Sequence, residues 1–322
     1  MKKDKYIDMY CRGRGLEIGG ADNHIEGLDS IKADNKDEYV GRKYEIDALL
    51  DGTNLESVAD DSLDYVVSVH VLEHISNPLK ALVEWHRVVR PGGYVFTAVP
   101  QKKYTFDRYR STTTIRHLLD DYHHDVPPGD TTHLEEFGQY SAPLIYCQNG
   151  DTDYSRSVAL GLIRSHRGKR LLPLTEKQQR LADRIDQDTQ FQRKTADDGV
   201  AVDIHHHVWS SRFDVRLMTD ALGMDLEMTA DGYLGNSILF VTRVGNGGEG
   251  FQTNLQALKE GVFPDWVDEK SRMQESHRPP YKIDAYFYSL RLERLKSTFA
   301  EKGAAAALEE IGAFVRRRAR PL

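Results

Sequence analysis

The chain predicts an α/β architecture: a doubly wound, mostly parallel sheet of seven strands with a large cap insertion and a helical carboxyl-terminal extension. Three observations carry this. Residues 14–21 run from apolar positions through Glu17 into Gly19 and Gly20, as a buried parallel strand does where backbone must approach a ligand. Residues 63–69 are apolar apart from Asp64 and Ser68, the composition of a central strand covered on both faces. Strand-like and helix-like stretches alternate up to residue 100, and residues 225–233 and 236–244 close the pattern as an alternating strand pair.

Residues 1–13 read as a short helix with Tyr6, Met9 and Tyr10 on one packing face. The first strand enters the Gly19-Gly20 turn, and residues 30–34 form a second strand ending in Asp34, placed to accept both hydroxyls of a ribose. Residues 42–47 read as the third strand, with Asp51 and Gly52 beyond it. After the fourth strand, His70 falls at the switch point where open α/β sheets hold their ligands. Ser76, Asn77 and Pro78 open a helix whose stripe is Leu79, Leu82, Val83, His86 and Val89, stopped by Pro91-Gly92-Gly93. Residues 94–100 are the fifth strand.

Four of these stretches resemble the class I S-adenosylmethionine-dependent methyltransferases: Glu17-Ile18-Gly19-Gly20; Asp51-Gly52-Thr53-Asn54-Leu55 with 61–67; Val71-Leu72-Glu73-His74; and Arg87 through Gly93. The loop departs from the family pattern at Ala21 and Asn23. The resemblance implies a Rossmann-like fold, S-adenosyl-L-methionine as cofactor, and Glu17, Gly19, Gly20, Asp34, Asp51, Gly52 and His70 as its site. Asp51 there takes the adenine amino group, and His70 lies near the sulfonium.

The expected division is 1–100 for the cofactor half, 101–200 for the substrate cap, 201–245 for the rest of the core and 251–322 for the extension, with a glycine-rich linker between the last two. Within the cap, residues 174–190 read as a surface helix. The extension is aromatic- and alanine-rich, suited to wrapping the core or pairing two copies.

Composition narrows the partners. The 322 residues hold 43 Lys plus Arg against 50 Asp plus Glu, a net charge of −7, which gives no electrostatic reason to expect nucleic acid. The basic run Arg316 to Arg320 reads as a solvated helix end. No stretch has the apolar length of a membrane span and no signal segment follows Met1, so the expectation is a cytoplasmic enzyme. Cys11 and Cys147 are too few for a disulfide framework or a thiolate zinc site.

Methyl transfer to a hydroxyl also requires loss of its proton, a task for histidine. His205 and His207 alternate on a segment read as extended, so they face one side and His206 the other. His133 stands in the cap near Glu135 and Glu136. One reading makes His133 or His207 the general base, joined by His205, with Asp130 or Glu136 orienting the ring. The other makes His133, His205 and His207 ligands of a divalent metal. The first is preferred, with no metal, because the chemistry does not require one.

Arg108, Arg110 and Arg116 read either as binders of an anionic acceptor or as solvated charges. The expected activity is O-methylation of a saccharide or glycosylated small molecule. The saccharide follows from a looser similarity of residues 104–107, Thr112-Thr113 and the later H-x-H-V-W to a bacterial branch of the family. Methylation of a non-sugar metabolite on N or O, or a silent cofactor-binding subunit, stays open. A nicotinamide enzyme is disfavoured by the missing G-x-G-x-x-G loop.

Overall fold

The computed structural model describes residues 1–20, 24–39, 42–148, 155–166, 173–198, 200–245 and 249–276. The elements in order are α1 (Lys5–Tyr10), β1 (Gly15–Ile18), β2 (Ser30–Asp34), the hairpin β3 (Glu38–Tyr39) and β4 (Arg42–Lys43), β5 (Ala48–Leu49), β6 (Leu63–Val69), α2 (Pro78–Val88) and β7 (Val89–Pro100). Five helices follow: α3 (Ile115–His123), α4 (Leu134–Tyr140), α5 (Ala142–Gln148), α6 (Arg156–His166) and α7 (Glu176–Asp197). The chain then forms α8 (Arg212–Leu222), β8 (Asp225–Tyr233), β9 (Ser237–Arg243), α9 (Glu249–Lys259) and α10 (Val267–Ser276).

Seven strands form one sheet in the order β5-β2-β1-β6-β7-β9-β8. β9 runs antiparallel to both neighbours and every other pair is parallel. The carboxyl ends of β1 and β6 lie side by side at the point where the strand order reverses, which is where open sheets of this kind hold ligands.

Side-chain alternation divides the core into two layers. Leu16, Ile18, Val66, Val95, Val99, Ile238 and Phe240 pack with α2, α3, α8 and α9. On the other face Tyr65, Val67, Phe96, Ala98, Leu239 and Val241 meet Ile7 of α1 and Ile25. The chain crosses from Ile18 to Ser30 with no helix among its described residues, so α1 and the turn around Ile25 cover that face. Tyr6 and Tyr10 pack against this layer as expected, but Met9 is exposed and Ile7 is the buried residue of α1.

The third core strand is β5, not residues 42–47. β3 and β4 pair antiparallel with each other, and Ala48 and Leu49 pair with Ala33 and Asp34. α2 also ends before Pro91-Gly92-Gly93, because β7 already starts at Val89. α8 has Ser211 as its N-cap in a reciprocal pair with Asp214, and Gly223 at φ +71° ends it.

α10 is fastened to the core by Gln274, which is buried. Its Oε1 accepts from Ile115 N at 2.7 Å and its Nε2 donates to Asp214 Oδ1 at 2.9 Å. The aromatic and alanine-rich stretches of the extension and the basic run after residue 315 lie outside the described residues. Among those described, no helix is long and apolar enough to cross a membrane.

Candidate active site

The carboxyl edge of the sheet brings three expected cofactor positions together. Gly19 has φ +71°, and a Cβ there would lie 2.4 Å from Val71 Cγ2, so the turn after β1 and the segment after β6 meet with no room for a side chain. Asp34, partly exposed, ends β2 next to this turn, and Gly19 N donates to Ala33 O at 2.8 Å. His70 follows the last residue of β6 at φ +58°, an uncommon conformation for a non-glycine residue that marks an over-determined position.

Around these, Glu17 is buried and turned inward, accepting from Ile25 N at 2.8 Å and Ser30 Oγ at 3.4 Å. Glu17 therefore shapes the loop from beneath. Asp51 Oδ1 accepts from both Thr53 N and Thr53 Oγ1 at 2.8 Å, closing an Asx turn over buried Gly52. A side-chain-free turn, a carboxylate at the end of the second strand and a polar turn after the third suit a ribose and a flat base, so these residues fit an adenosyl group.

Two histidine clusters lie beyond this edge. In the first, His205 Nδ1 stands 2.5 Å from Asp107 Oδ2, both groups buried. Asp107 Oδ1 accepts from Ser141 Oγ at 2.7 Å and Arg110 Nη1 at 3.2 Å. Burial opposes charge on the imidazole, yet the Asp107 carboxylate beside it holds the His205 pKa above its ordinary value. Burial likewise opposes charge on Asp107, and His205 outweighs it, holding the carboxyl well below the usual range. His74 packs edge-on to His205 with ring centroids 4.7 Å apart. Glu73 is fully buried, and burial pushes its carboxyl up to about 7. Burial lowers His70 to about 4 and His74 to about 3, so both rings are neutral.

The second cluster joins α3, the start of α4 and the segment before α8. His117 Nε2 faces His133 Nε2 at 2.9 Å and Asp121 Oδ2 at 3.3 Å. His207 is buried, with Nε2 3.0 Å from Ser76 O and 3.8 Å from Asp121 Oδ2. Burial, followed by His117, lowers His133 to about 3.

The methyltransferase domain family matches residues 9–97, which span the strands just described from β1 to most of β7. That segment, less than a third of the chain, is what resembles a methyltransferase domain. The thiol S-methyltransferase TMT1B of Mus musculus is 43% identical over 54 residues, 17% of this chain, so the chain spans 22% of that curated relative. Two solved structures are more distant. A SAM-dependent methyltransferase from Methanosarcina mazei is 12% identical with a TM-score of 0.38, covering 76% of this chain and 99% of its own. One from Mesorhizobium loti is 12% identical with a TM-score of 0.31, covering 71% and 90%.

The expected histidine set divides. His205 turns to Asp107, while His207 turns to Ser76 O and the His117–His133 pair. The segment is not a strand: His206 N and His207 N both point to Glu73 O, at 2.7 and 3.4 Å, so alternation does not hold. His206 is itself buried, its Nε2 3.4 Å from Val202 O. The expected orienting carboxylates are engaged elsewhere. Glu136 binds Arg110 Nε and Ser111 N, and Asp130 binds Thr132.

Arg110 does not present itself to an anionic acceptor. It is buried, with Nη1 at 2.5 Å from His205 O and Nη2 at 2.9 Å from His206 O. Arg116 lies on the surface with Asp120 and Asp268. From sequence, Glu73 and Asp107 stand out only as parts of motifs and His117 only as a polar cap residue; none of them, nor Asp121, receives a role there, since their partners are remote along the chain. Only the cap position of Asp107 and the i, i+4 spacing of His117 and Asp121 hinted at them.

Proposed function

We propose that this chain is an S-adenosylmethionine-dependent O-methyltransferase acting on a hydroxyl of a saccharide or glycosylated small molecule, with His205 as general base. The observation that carries the base is the 2.5 Å contact of His205 Nδ1 with Asp107 Oδ2. Asp107 keeps the proton on Nδ1 and leaves the lone pair on Nε2 for an acceptor hydroxyl. Ser141 and Arg110 hold the carboxylate, so the imidazole is presented in one orientation.

When bound, the cofactor supplies an electrophilic methyl on a sulfonium. Asp34 is assigned to the ribose hydroxyls, the Asp51–Thr53 turn with Gly52 to the adenine, Gly19 and Gly20 to close backbone approach, and His70 to the sulfonium end. Glu17 supports the loop. His205 and the buried groups around it exclude water and take the hydroxyl proton as the new O–C bond forms. The saccharide is supported by the similarity at residues 104–107 and 205–209, and by the base itself, which a hydroxyl acceptor needs and an ionised thiol does not.

Incubating the protein with isotopically labelled cofactor and panels of sugars, amines, phenols and thiols tests this. Expected is transfer to a sugar hydroxyl that falls on the order of a hundredfold or more in His205→Ala. Transfer only to amines or thiols, undiminished in that variant, contradicts it.

A further inference from the structure

The second histidine cluster has no part in the reaction just proposed, yet it is built from three separately anchored segments. His117 and Asp121 share one face of α3 at i, i+4, with Ile115, Leu118 and Leu119 of the same helix locked in the main core. His133 occupies the position just before α4. His207 sits between His206 and Val208, and its ring is closed from solvent. Each of the four offers one ligand atom, and these atoms all lie within 4.8 Å of one another.

Hydrogen bonding leaves the group unsatisfied. Among the described residues, Asp121 Oδ2 and His207 Nδ1 are buried and make no hydrogen bond. Asp121 Oδ2 nevertheless lies 3.3 Å from His117 Nε2. The His117 and His133 Nε2 atoms face each other at 2.9 Å, and at most one of them can donate to the other. Imidazole nitrogens bound to one tetrahedral ion at about 2.0–2.1 Å stand only a little farther apart than this. On His207, Nε2 lies at hydrogen-bond distance from the Ser76 carbonyl, the outer-nitrogen contact that fixes the orientation of a metal-bound histidine.

We propose that His117, Asp121, His133 and His207 form a binding site for one divalent transition-metal ion of the zinc type. This departs from the metal-free expectation, and it does not use the H-x-H pair, because His205 belongs to Asp107. Three imidazoles and one carboxylate favour zinc over magnesium or calcium, which take oxygen ligands. Four protein ligands close the coordination sphere, so the ion is structural. It ties the start of α4 and the segment carrying His205 to α3, and thereby holds the base in place from outside the reaction.

The test uses the tag-free 322-residue chain stripped with a chelator and titrated with zinc sulfate against a competing chromogenic chelator. Cobalt(II) chloride serves as the spectroscopic probe. Expected are one tight equivalent per chain, tetrahedral cobalt absorption and a raised melting temperature on adding zinc. Asp121→Asn and His117→Gln each weaken zinc binding by roughly a hundredfold. His74→Ala, outside the cluster, keeps the full equivalent. Circular dichroism identifies any variant that fails to fold, in which case wild-type stoichiometry and cobalt spectrum decide. No stoichiometric zinc or cobalt on the folded wild-type chain overturns the proposal, as does undiminished binding in folded His117→Gln.

Discussion

His205 and Asp107 meet Nδ1 to Oδ2 at 2.5 Å, although 98 positions separate them in the chain. The contact joins the second 3-10 turn after β7 to the segment before α8, and it sets a carboxylate where it favours a proton on Nδ1. Asp107→Asn keeps the shape and the contact with Ser141 but removes the charge that favours a proton on Nδ1. Methyl transfer is expected to fall on the order of a hundredfold in kcat, with affinity for S-adenosylhomocysteine unchanged. Steady-state kinetics alongside calorimetry check this, and an unchanged kcat would remove His205 from the base role.

Arg110 is the structural counterpart of that pair. Its guanidinium contacts Asp107, Glu136 and the carbonyls of His205 and His206. Replacing it with Met leaves Asp107 buried without its arginine partner and two carbonyls without a donor. Arg110→Met is therefore expected to lose about 3–5 kcal/mol of stability. Urea denaturation measures this; a loss below about 1 kcal/mol, the scale of an exposed pair, would contradict the buried network.

His86 gives a pH dependence remote from both clusters. It is buried on α2, its Nε2 2.7 Å from Thr242 Oγ1, and burial pushes it down to about 4. The unfolded chain takes up the proton near pH ~6.5 while the folded chain resists it. Its contribution is thus complete above pH ~6.5 and is lost as the pH falls toward the folded value, by on the order of 3 kcal/mol in all. Melting curves should show that His86→Leu flattens the decline in stability between neutral and mildly acidic pH. A decline as steep as in the wild type would show that His86 is not titrating as described.

Much of the sheet is legible in the sequence because β1, β6 and β7 are buried on both faces, leaving apolar runs that need no tertiary information. β5 is not, since a two-residue strand carries no periodicity and the preceding hairpin supplied a more strand-like segment. The histidines fail for a related reason. Period-two facing presumes extended backbone, and the bonds of His206 N and His207 N to Glu73 O bend residues 203–207 away from it. Arg110 reads as a surface charge until its two carboxylates, 3 and 26 positions away, are seen to enclose it. The tight turn after β1 was readable because glycine has a steric reason at Gly19, where Val71 leaves no room for a side chain.

The most direct measurement is calorimetric titration of the 322-residue chain with S-adenosylhomocysteine. One site per chain, weakened on the order of tenfold or more in Asp34→Ala through loss of the ribose hydrogen bonds, is the predicted result. No heat of binding at millimolar ligand to the folded wild-type chain would contradict a cofactor held at the carboxyl ends of β1 and β6.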